Sequence, residues 1–593
     1  MTALPQVATG AVVKLTLCSI VGRLAVLIAA AASAASLATA AGAAPTFTRE
    51  VAPILFAHCA NCHREGEIGA AVPLISYTAA SRKAAAIKAS VAARTMPPWP
   101  ADPLHSMKFR NDARLSQQDI DTLVAWVDAG APKGNDRDMP PPPAPPPKWL
   151  HPGGVAPDAV LRLPEVSVSA RGEIPYLQQR VKVPLNEDKW ISAMQVVPGN
   201  NALVHHMGIT EVVLAEGLNP NDLDALTKVA RQMGLADDAL MHPIPAVLDA
   251  LNPESYDMLG VYTPGSTFEM YDDDSGKLLK SGKDLYVNFN IHYTTTGKSE
   301  KNHSELALWF TKQRPAHQLI RAPIAVSTII ANGRELLTDD PGTKAEGTDV
   351  AIPPIPPYAK NYELIGVTAF TLPVTLYQLQ PHAHMRGKDF TYTVVLPDGR
   401  QQVVLTVPKY DFHWQLAYQL EEPLHLPAGS KLVVTAHYDN SASNQHMRER
   451  GVDPQNCGPD KEAYFRRQNQ SWHEMFSPLV QYSIDGDATV QQADRRVKLV
   501  ETIGCVKPGP GADWSLTSAS VPVATTLQST TATELRGATA PLGNDSLDLV
   551  GAAVFHPQSR AHNRVAVKGV LIRDAAGDRL NVTSLQPVAG TCL

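Results

Sequence analysis

Two cysteines and a histidine lie close together near the start of the chain, at Cys59, Cys62 and His63. This C-x-x-C-H spacing suits covalent haem attachment, because two thiols can form thioethers to the porphyrin while the adjoining imidazole binds the iron. The same letters also occur by chance and in redox-active dithiols. We interpret the motif as a haem-binding site.

A methionine downstream of this motif is the predicted sixth ligand of the haem iron. Met96 is surrounded by prolines in Thr95-Met96-Pro97-Pro98-Trp99-Pro100, and prolines restrict the conformations of such a loop. A thioether opposite an imidazole is a common haem ligand pair. Met107 is the alternative ligand.

A helix is predicted shortly after this loop. Ser116 and Asp119 form an S-x-x-D capping pattern, and Gly130 is a stop signal. Apolar residues recur between them at helical spacing, at Ile120, Leu123, Val124 and Val127. Together with the haem motif, these features predict a small all-α cytochrome c domain over residues 45–137.

The N-terminus has the composition of an export signal. Lys14 and Arg23 precede an apolar run and an alanine-rich stretch with A-x-A sites. We predict a signal peptide over residues 1–43 and a periplasmic or secreted protein; an uncleaved membrane anchor is the alternative. No later segment has the roughly 20 apolar residues that span a bilayer, so no transmembrane domain is expected after cleavage.

The rest of the chain is long enough for several domains, since it has 593 residues in all. A proline-rich linker is predicted over residues 138–149, as an extended spacer or alternatively a recognition peptide. Short alternating runs then predict two antiparallel, jelly-roll-like β-sandwiches at 150–345 and 346–500, and a small β-barrel module at 501–593. A helical insert is expected near residues 222–233.

Charge and cysteine content constrain partners and cross-links. The net charge is -6 without a block of Lys or Arg, which argues against nucleic acid as a partner. An oxidising compartment permits a disulfide bond between Cys505 and Cys592, which would stabilise the last segment by about 4–5 kcal/mol. Cys457 is then left as a free thiol.

Histidines are placed where they could bind metal. His382 and His384 are two residues apart, so on a strand both imidazoles project from one face. His205 and His206 are adjacent and face opposite sides of a strand, so they can share an ion only through a bulge or different ring nitrogens. His292 ends a strand whose polar face also carries two asparagines.

The order of four short motifs resembles the copper-ligand motifs of the type II copper, ascorbate-dependent monooxygenases, the peptidylglycine and dopamine hydroxylase family. The motifs are His205-His206-Met207, His292-Tyr293, His382-Ala383-His384 followed by Gly387-Lys388, and Glu474-Met475. The resemblance covers roughly residues 155–500. It implies that two copper ions are bound in addition to the haem.

The resemblance also implies which residues bind each copper. His205, His206 and His292 would hold an electron-transfer copper. The catalytic copper, which binds and activates dioxygen, would be held by His382, His384 and Met475. Independently, a thioether among the ligands favours Cu(I) over Zn(II).

The β region departs from the family in ways that leave the substrate open. It has few cysteines, and Leu479 stands where the peptide enzyme has a tyrosine near its substrate. His437 and His473 are further candidate ligands or pocket residues that the family motif does not require.

The sequence thus predicts an exported haem- and copper-dependent oxidoreductase. Its expected activity is a copper-dependent monooxygenase reaction that hydroxylates a C–H bond of a small organic substrate with dioxygen, with electrons entering through the haem. The reductant would be ascorbate or another cytochrome. The alternatives are a non-catalytic electron-transfer or copper-binding protein, and a zinc hydrolase built on the three histidines.

Overall fold

The computed structural model describes most of the chain outside the N-terminal segment. The described residues are 44–213 without 173, 175 and 184; 228 and 231–232; 257–338 without 283–284; 352–448; 458–463; 471–485; 497–509; and 514–592 without 562 and 576. The predicted signal at 1–43, the thiol of Cys457 and most of the predicted insert at 222–233 lie outside these ranges.

Short helices make up the first part of the described chain. They are a π-helical turn Phe47–Val51, α1 Ala52–His58, α2 Tyr77–Arg82, α3 Ala84–Ala92 and α4 Gln117–Asp128. Their apolar residues form one cluster in which Phe47 lies against Trp126, with ring centroids 6.0 Å apart. Burial of these aromatic rings stabilises the small helical unit.

The predicted helix and its ends are confirmed in α4. The Ser116 side chain accepts a hydrogen bond from the backbone N–H of Asp119, at 3.1 Å. Ile120 and Leu123 are buried, and Gly130 takes the positive φ of 84° that ends many helices.

The first β-rich unit consists of two main sheets that pack on one hydrophobic cluster. One sheet has the order β1 Ala159–Arg162, β11 Glu305–Phe310, β4 Lys189–Val197, β8 Ser275–Leu279, β12 His317–Gln318, with β7 Phe268–Met270 beside β4. The other has the order β3 Leu177–Lys182, β9 Leu285–Tyr293, β5 Val204–Val213, β6 Asp257–Tyr262. A ribbon of β2 Val166–Val168 and β10 Glu300–Asn302 completes the unit, which we call the first sandwich.

The second β-rich unit, the second sandwich, is also built from two sheets around one cluster. One sheet has the order β13 Ile320–Pro323, β22 Ser477–Ile484, β17 Val374–His382, β20 Tyr418–Leu426. The other has the order β15 Arg334–Glu335, β14 Thr328–Ala331, β16 Tyr362–Ala369, β21 Lys431–Tyr438, β18 Gly387–Val395, β19 Gln401–Val407. All of these pairings are antiparallel, as predicted.

The last unit contains a closed five-stranded barrel. Its strands are β23 Val497–Pro508, β24 Trp514–Ala519, β26 Asp545–Val550, β27 Asn563–Asp574 and β28 Gly577–Thr591, with β25 Val523–Ala524 at one side and the short helix α5 Ala532–Gly537. Pairing of β23 with both β24 and β27 closes the ring. The predicted disulfide is present, with Cys505 and Cys592 joined and their Cα atoms 5.8 Å apart.

The barrel packs on the outer face of the second sandwich. Ile365, Val367 and Val433 of that sandwich belong to the same hydrophobic cluster as the barrel residues. The buried Lys431 donates to the backbone carbonyls of Gly551 and Val582 at 2.9 and 2.6 Å. The sheet containing β16 and β21 is therefore covered on both faces, and its strands are accordingly rich in apolar residues.

The segment after Met96 leaves the helical unit and packs on the second sandwich. Trp99 and Phe109 belong to the core of that sandwich, and their rings lie 5.0 and 5.4 Å from the ring of Tyr418. The helical unit is therefore attached to the second sandwich by its own chain, in addition to the linker.

The proline-rich linker is held in its middle and at its far end. In its middle, the guanidinium of Arg64 donates to the carbonyl of Ala144 at 3.0 Å. At its far end, the side-chain amide of Gln195 in β4 donates to the carbonyl of Lys148 and accepts from the backbone N–H of Leu150. This spacer is therefore held against the units that it connects.

Among the described residues, no helix combines the length and the apolar character needed to cross a membrane.

Candidate functional site

The haem motif forms a turn directly after α1. Backbone N–H groups of Cys62 and His63 donate to the carbonyl of Cys59, which places the two thiols and the imidazole on one compact turn. Neither Cys59 nor Cys62 is in a disulfide bond. Burial raises the pKa of the Cys59 thiol to about 12, so this side chain stays a thiol rather than a thiolate.

The orientation of His63 suits a proximal ligand. Its Nδ1 lies 2.8 Å from the carbonyl of Val72 and donates to it, which leaves Nε2 for iron. A Cβ at Gly69 would lie 2.7 Å from His63 Nδ1, so the chain passes too close to the ring for any larger residue. The residues present therefore fit a haem.

Of the two candidate sixth ligands, Met107 is engaged elsewhere. It packs against the core of the second sandwich, and its N–H donates to the carbonyl of Val404 at 2.9 Å. Met96 is partly buried in the loop that follows α3. These positions favour Met96 as the ligand.

The loop that carries the haem motif contacts the first sandwich. The side-chain amide of Asn201 donates to Glu67 Oε2 at 2.7 Å. Burial raises the pKa of Tyr262 in β6, and the nearby acidic groups of Glu67 and Cys62 add to this effect. Asn201 lies just before β5, so the haem loop is next to the strand that carries His205 and His206.

The three predicted first-sandwich ligands come together through a β-bulge. The register between β5 and β9 pairs Val204 with Tyr293 and His206 with His292, so His205 is the extra residue. A bulge turns a neighbouring side chain toward the same side of the strand. The sequence-based condition for His205 and His206 to share an ion is therefore met.

The candidate ligand atoms of His205, His206 and His292 all lie within 4.8 Å of one another. His205 Nδ1 is 3.1 Å from His206 Nδ1. His292 Nδ1 is buried and has no hydrogen-bond partner among the described residues, which is costly unless a ligand satisfies it. We call these residues the three-histidine set.

The rings of His206 and His292 are neutral. Burial lowers the pKa of His206 and of His292 well below the usual value, and the neighbouring imidazoles lower both further. Neutral imidazole is the form that binds metal, so this environment suits copper or zinc.

The second predicted set forms at one edge of the second sandwich. His382 ends β17, and its Nε2 lies 3.0 Å from Met475 Sδ, just before β22. The ring centroids of His382 and His384 are 5.4 Å apart. His384 lies after the end of β17, so the two imidazoles converge through a turn and not along one strand face as predicted. We call these three residues the His-His-Met set.

Hydrogen bonds at Nδ1 orient both imidazoles of the His-His-Met set. His382 Nδ1 donates to Gln415 Oε1 at 2.5 Å, and His384 Nδ1 donates to the carbonyl of His473 at 2.9 Å. These bonds present Nε2 of each ring as the ligand atom. Burial lowers the pKa of His382 to about 4, so its ring is neutral.

Glu474 ties together the chain segments that carry this set. Its buried carboxylate accepts hydrogen bonds from the backbone N–H groups of His384, Arg386 and Met475, at 2.6, 2.9 and 3.0 Å. Burial raises the pKa of Glu474 to about 7. The sequence pattern included this residue in the E-M motif but did not reveal its positioning role.

The two sets are neighbours in space. The ring centroids of His206 and His382 are 6.2 Å apart. Phe412 lies beside both sets, with its ring 6.0 Å from His292 and 6.2 Å from His384. Tyr176 lies 4.6 Å from the ring of His292, and burial keeps it protonated by raising its pKa. Tyr176 and Phe412 were not predicted from sequence motifs, because each contacts the sets only through tertiary packing.

The two further candidate histidines have different surroundings. His473 contributes its carbonyl to His384, while its ring packs on Trp472 at 5.7 Å. His437 lies in β21 and contacts Asp389 at 2.6 Å and Glu363 at 3.6 Å; the hydrogen bond to Asp389 raises its pKa. The described contacts of His437 are with carboxylates and not with either set.

The donor chemistry of both sets fits copper. Imidazole nitrogens suit copper or zinc, whereas a thioether beside an imidazole selects Cu(I). The distance of 3.0 Å between His382 Nε2 and Met475 Sδ lets both atoms face one ion.

Comparison with known proteins identifies the helical segment. The cytochrome c family model matches residues 52–131, which supports a cytochrome c domain in this part of the chain. No curated protein matches the chain. The resemblance of residues 155–500 to the copper monooxygenases remains a prediction.

Three solved structures share only weak similarity with the chain. Allantoicase has 9% identity, covering 46% of this chain and 79% of its own, with a TM-score of 0.12. PNGF-II has 8% identity over 54% and 65%, with a TM-score of 0.19. Procruciferin, an 11S globulin from Brassica napus, has 9% identity over 48% and 84%, with a TM-score of 0.10. These scores are too low to support any conclusion about this chain.

Proposed function

We propose that the protein is an exported haem- and copper-dependent monooxygenase that hydroxylates a C–H bond of an organic small molecule with dioxygen. The observation that carries this proposal is the pairing of His382 Nε2 with Met475 Sδ at 3.0 Å, beside a separate group of three histidines. When bound, copper at the two sets and haem at the C-x-x-C-H motif would supply one-electron redox chemistry toward dioxygen.

Some residues would hold the haem and the copper ions, and others position those ligands. Cys59 and Cys62 would attach the haem, and His63 Nε2 and Met96 would hold its iron. Gln415, the carbonyl of His473 and the carboxylate of Glu474 orient the His-His-Met set by the hydrogen bonds described above. These fixed orientations would limit rearrangement of the ligands between redox states.

The order of contacts supports electron entry through the haem. Glu67 of the haem loop accepts a hydrogen bond from Asn201, and the chain continues from Asn201 into His205 and His206. The ring of His206 in turn lies beside that of His382. An attached donor acts at a high effective concentration without a separate binding step. Ascorbate or another cytochrome would then reduce the haem from outside.

Burial of the sets would keep bulk water from the reacting atoms. His206 and His384 are buried, and the rings of Phe412 and Tyr176 pack beside them. A dry site strengthens the electrostatic interactions of polar groups and limits side reactions.

The test begins with the purified full chain loaded with copper. The protein is reduced without oxygen, oxygen is admitted with candidate substrates, and haem and copper oxidation are followed with oxygen uptake. Substrate-dependent uptake with a hydroxylated product supports the proposal. Haem that reoxidises without copper participation, in a protein that binds no copper, would overturn it.

A non-catalytic electron carrier is the second candidate function. The close packing of His206 on His382, with 6.2 Å between ring centroids, leaves little space for a substrate between the two sets. An electron carrier would bind both metals and show reversible potentials without consuming oxygen. The same oxygen-uptake measurement therefore separates the two functions.

A further inference from the structure

A third group of metal-binding side chains lies next to the three-histidine set. Asp411, His413 and His446 place candidate ligand atoms within 4.8 Å of one another. His446 Nε2 is 3.7 Å from Asp411 Oδ1, and the rings of His413 and His446 are 5.3 Å apart. Two imidazoles and a carboxylate are a common ligand set for Zn²⁺ or Cu²⁺.

The local chain holds these side chains in place. The backbone N–H of His413 donates to Asp411 Oδ1 at 2.9 Å, which fixes the carboxylate. The backbone N–H of His446 donates to Asn444 Oδ1 at 3.0 Å, and His446 itself is buried. The group is therefore built into the second sandwich, with His446 buried and with Asp411 and His413 partly exposed.

His205 connects this group to the three-histidine set. Its Nδ1 lies 3.1 Å from His206 Nδ1, and its Nε2 lies 3.1 Å from His413 Nδ1. Two nitrogens that bind one ion at about 2.0–2.1 Å are roughly 3.3–3.4 Å apart at the tetrahedral angle, and roughly 3.1 Å apart when that angle closes to about 98°. Each ring nitrogen of His205 is thus at ligand-pair distance from a histidine of a different group.

We infer that His205 bridges two metal ions. One ion is the copper of the three-histidine set, so this part rests on the proposed function. The other is a divalent ion, Zn²⁺ or Cu²⁺, held by Asp411, His413 and His446 with His205 Nε2 as the fourth ligand. Binding of the second ion displaces the remaining ring proton of His205 to solvent, and no electron is transferred.

The second ion would join the two sandwiches. His205 belongs to β5 of the first sandwich, whereas Asp411 and His413 belong to a loop of the second and His446 begins a short 3₁₀ helix there. An ion with ligands from both units resists their separation. It would hold the three-histidine set against the His-His-Met set, where His206 already faces His382.

The test counts copper in the full-length protein. The haem-containing protein, freed of copper and zinc, is titrated with Cu²⁺ alone, and bound copper is measured per haem iron. We expect three equivalents for the natural chain and two for the His446→Ala and Asp411→Asn variants. His425→Ala, which removes an exposed histidine paired with Asp485 in the same sandwich, is the matched control and should keep three.

Electron paramagnetic resonance provides a second readout. Two Cu²⁺ ions bridged by one imidazole are spin-coupled, so the natural chain should show signal from about one of its three coppers. His413→Ala should restore one signal per bound copper. Titration with Zn²⁺ after the first two copper equivalents then shows whether zinc takes the third position.

The outcomes separate this inference from the proposed function. Equal copper content in the natural chain and in His446→Ala, with the full signal in both, would overturn the bridge and leave a hydrogen bond between His205 and His413. Loss of one equivalent in Met475→Leu and in His292→Ala reports on the two copper sets of the proposed function. Near-ultraviolet circular dichroism and the haem spectrum confirm that each variant is folded.

Discussion

The three-histidine set and the His-His-Met set use the same construction with different chemistry. Each takes two histidines from one segment and a third ligand from a neighbouring strand or its end. In the first set a bulge at His205 turns adjacent residues together, whereas in the second a turn after His382 brings in His384. The difference lies in the third ligand, which is an imidazole in one case and a thioether in the other.

The two sets are positioned in different ways. Ring-on-ring packing holds the three-histidine set, with centroids 5.0 Å apart between His206 and His292. The His-His-Met set is instead oriented by hydrogen bonds that its residues donate to Gln415, to the carbonyl of His473 and to Glu474. A substitution in the His-His-Met set or its hydrogen-bond partners should therefore affect metal binding at that set and leave the three-histidine set unchanged.

Replacing the thioether should give the largest effect. Met475→Leu keeps the volume of the side chain but removes the soft ligand, so copper should be lost from the His-His-Met set alone. Substrate-dependent oxygen uptake should fall by more than roughly 100-fold, since even outer-shell changes cost about 10–100-fold. The copper–sulfur signal in X-ray absorption should disappear.

Met385→Leu is the matched control for this experiment. Met385 is a buried neighbour that packs with Phe412 and is outside both sets. Copper content and oxygen uptake should both be retained. A Met475→Leu protein with unchanged copper–sulfur scattering would show that the thioether is not a ligand.

Removing the positioning carboxylate should have a smaller effect on the same set. In Glu474→Gln, an amide N–H₂ replaces one of the two carboxylate oxygens, each of which accepts a hydrogen bond from a backbone N–H. One of the hydrogen bonds that hold the ligand-bearing segments together is therefore lost. We expect copper affinity at the His-His-Met set to fall about tenfold, as for outer-shell changes, with the three-histidine set unaffected. Chelator competition measures both affinities.

Glu335→Gln provides the control for this loss of a buried carboxylate. Glu335 accepts from the N–H of Leu585 at 2.8 Å at the interface with the barrel, and burial raises its pKa to about 7 as well. This variant should cost stability without changing copper affinity. Equal losses of affinity in the two variants would indicate a general effect of destabilisation.

Loosening the contact between the haem loop and β5 should change only electron delivery. Glu67→Ala removes the bond to Asn201, which is worth about 1 kcal/mol, or about fivefold in the population of the docked loop. Haem-to-copper transfer, followed by flash reduction, should slow by up to this factor. Glu65→Ala, an exposed neighbour, is the control; an equal rate in all three proteins would exclude this contact from the route.

The acid stability of the metal-free protein should reveal the buried imidazoles. His382 has its pKa lowered to about 4, so between about pH 6.5 and 4 the unfolded chain binds a proton that the folded chain does not. The free energy of unfolding should therefore decrease as the pH is lowered through this window. The decrease should be up to about 1.4 kcal/mol per pH unit for each such histidine. His206 and His292 act in the same direction.

Urea unfolding at several pH values measures this slope. The slope reports how many protons the chain takes up on unfolding. His382→Gln should lower this number by one, and His292→Ala should also lower it by one. A slope that does not change in either variant would mean that these rings are accessible to protons in the folded protein.

Local patterns predicted local features well. The capped helix α4 depends on neighbouring residues and is confirmed, and the match of residues 52–131 to the cytochrome c family model supports the predicted haem. The alternation of β9 is only partial, because Asn288 is buried along with its two neighbours. The disulfide between Cys505 and Cys592 followed from their position at the ends of one segment. The need for a bulge at His205 followed from strand geometry alone.

Other features depended on distant parts of the chain. The position of His384 beyond β17 was not predicted, because a strand end is set by its pairing with β22 and not by its own residues. The group at Asp411, His413 and His446 was overlooked, although Asp411 and His413 have the same i, i+2 spacing as His382 and His384. Trp99 and Phe109, placed by sequence with the cytochrome, pack in the second sandwich.

The sequence by itself determined the kinds of ligand available: two thiols beside an imidazole, three histidines, and two histidines with a thioether. Covalent and ligand chemistry is local, so residue types and short spacings were enough. Only the tertiary structure decided that the haem loop lies against β5 and that the two sets are neighbours. That proximity comes from the packing of sheets and loops far apart in sequence, through many weak contacts that no single motif contains.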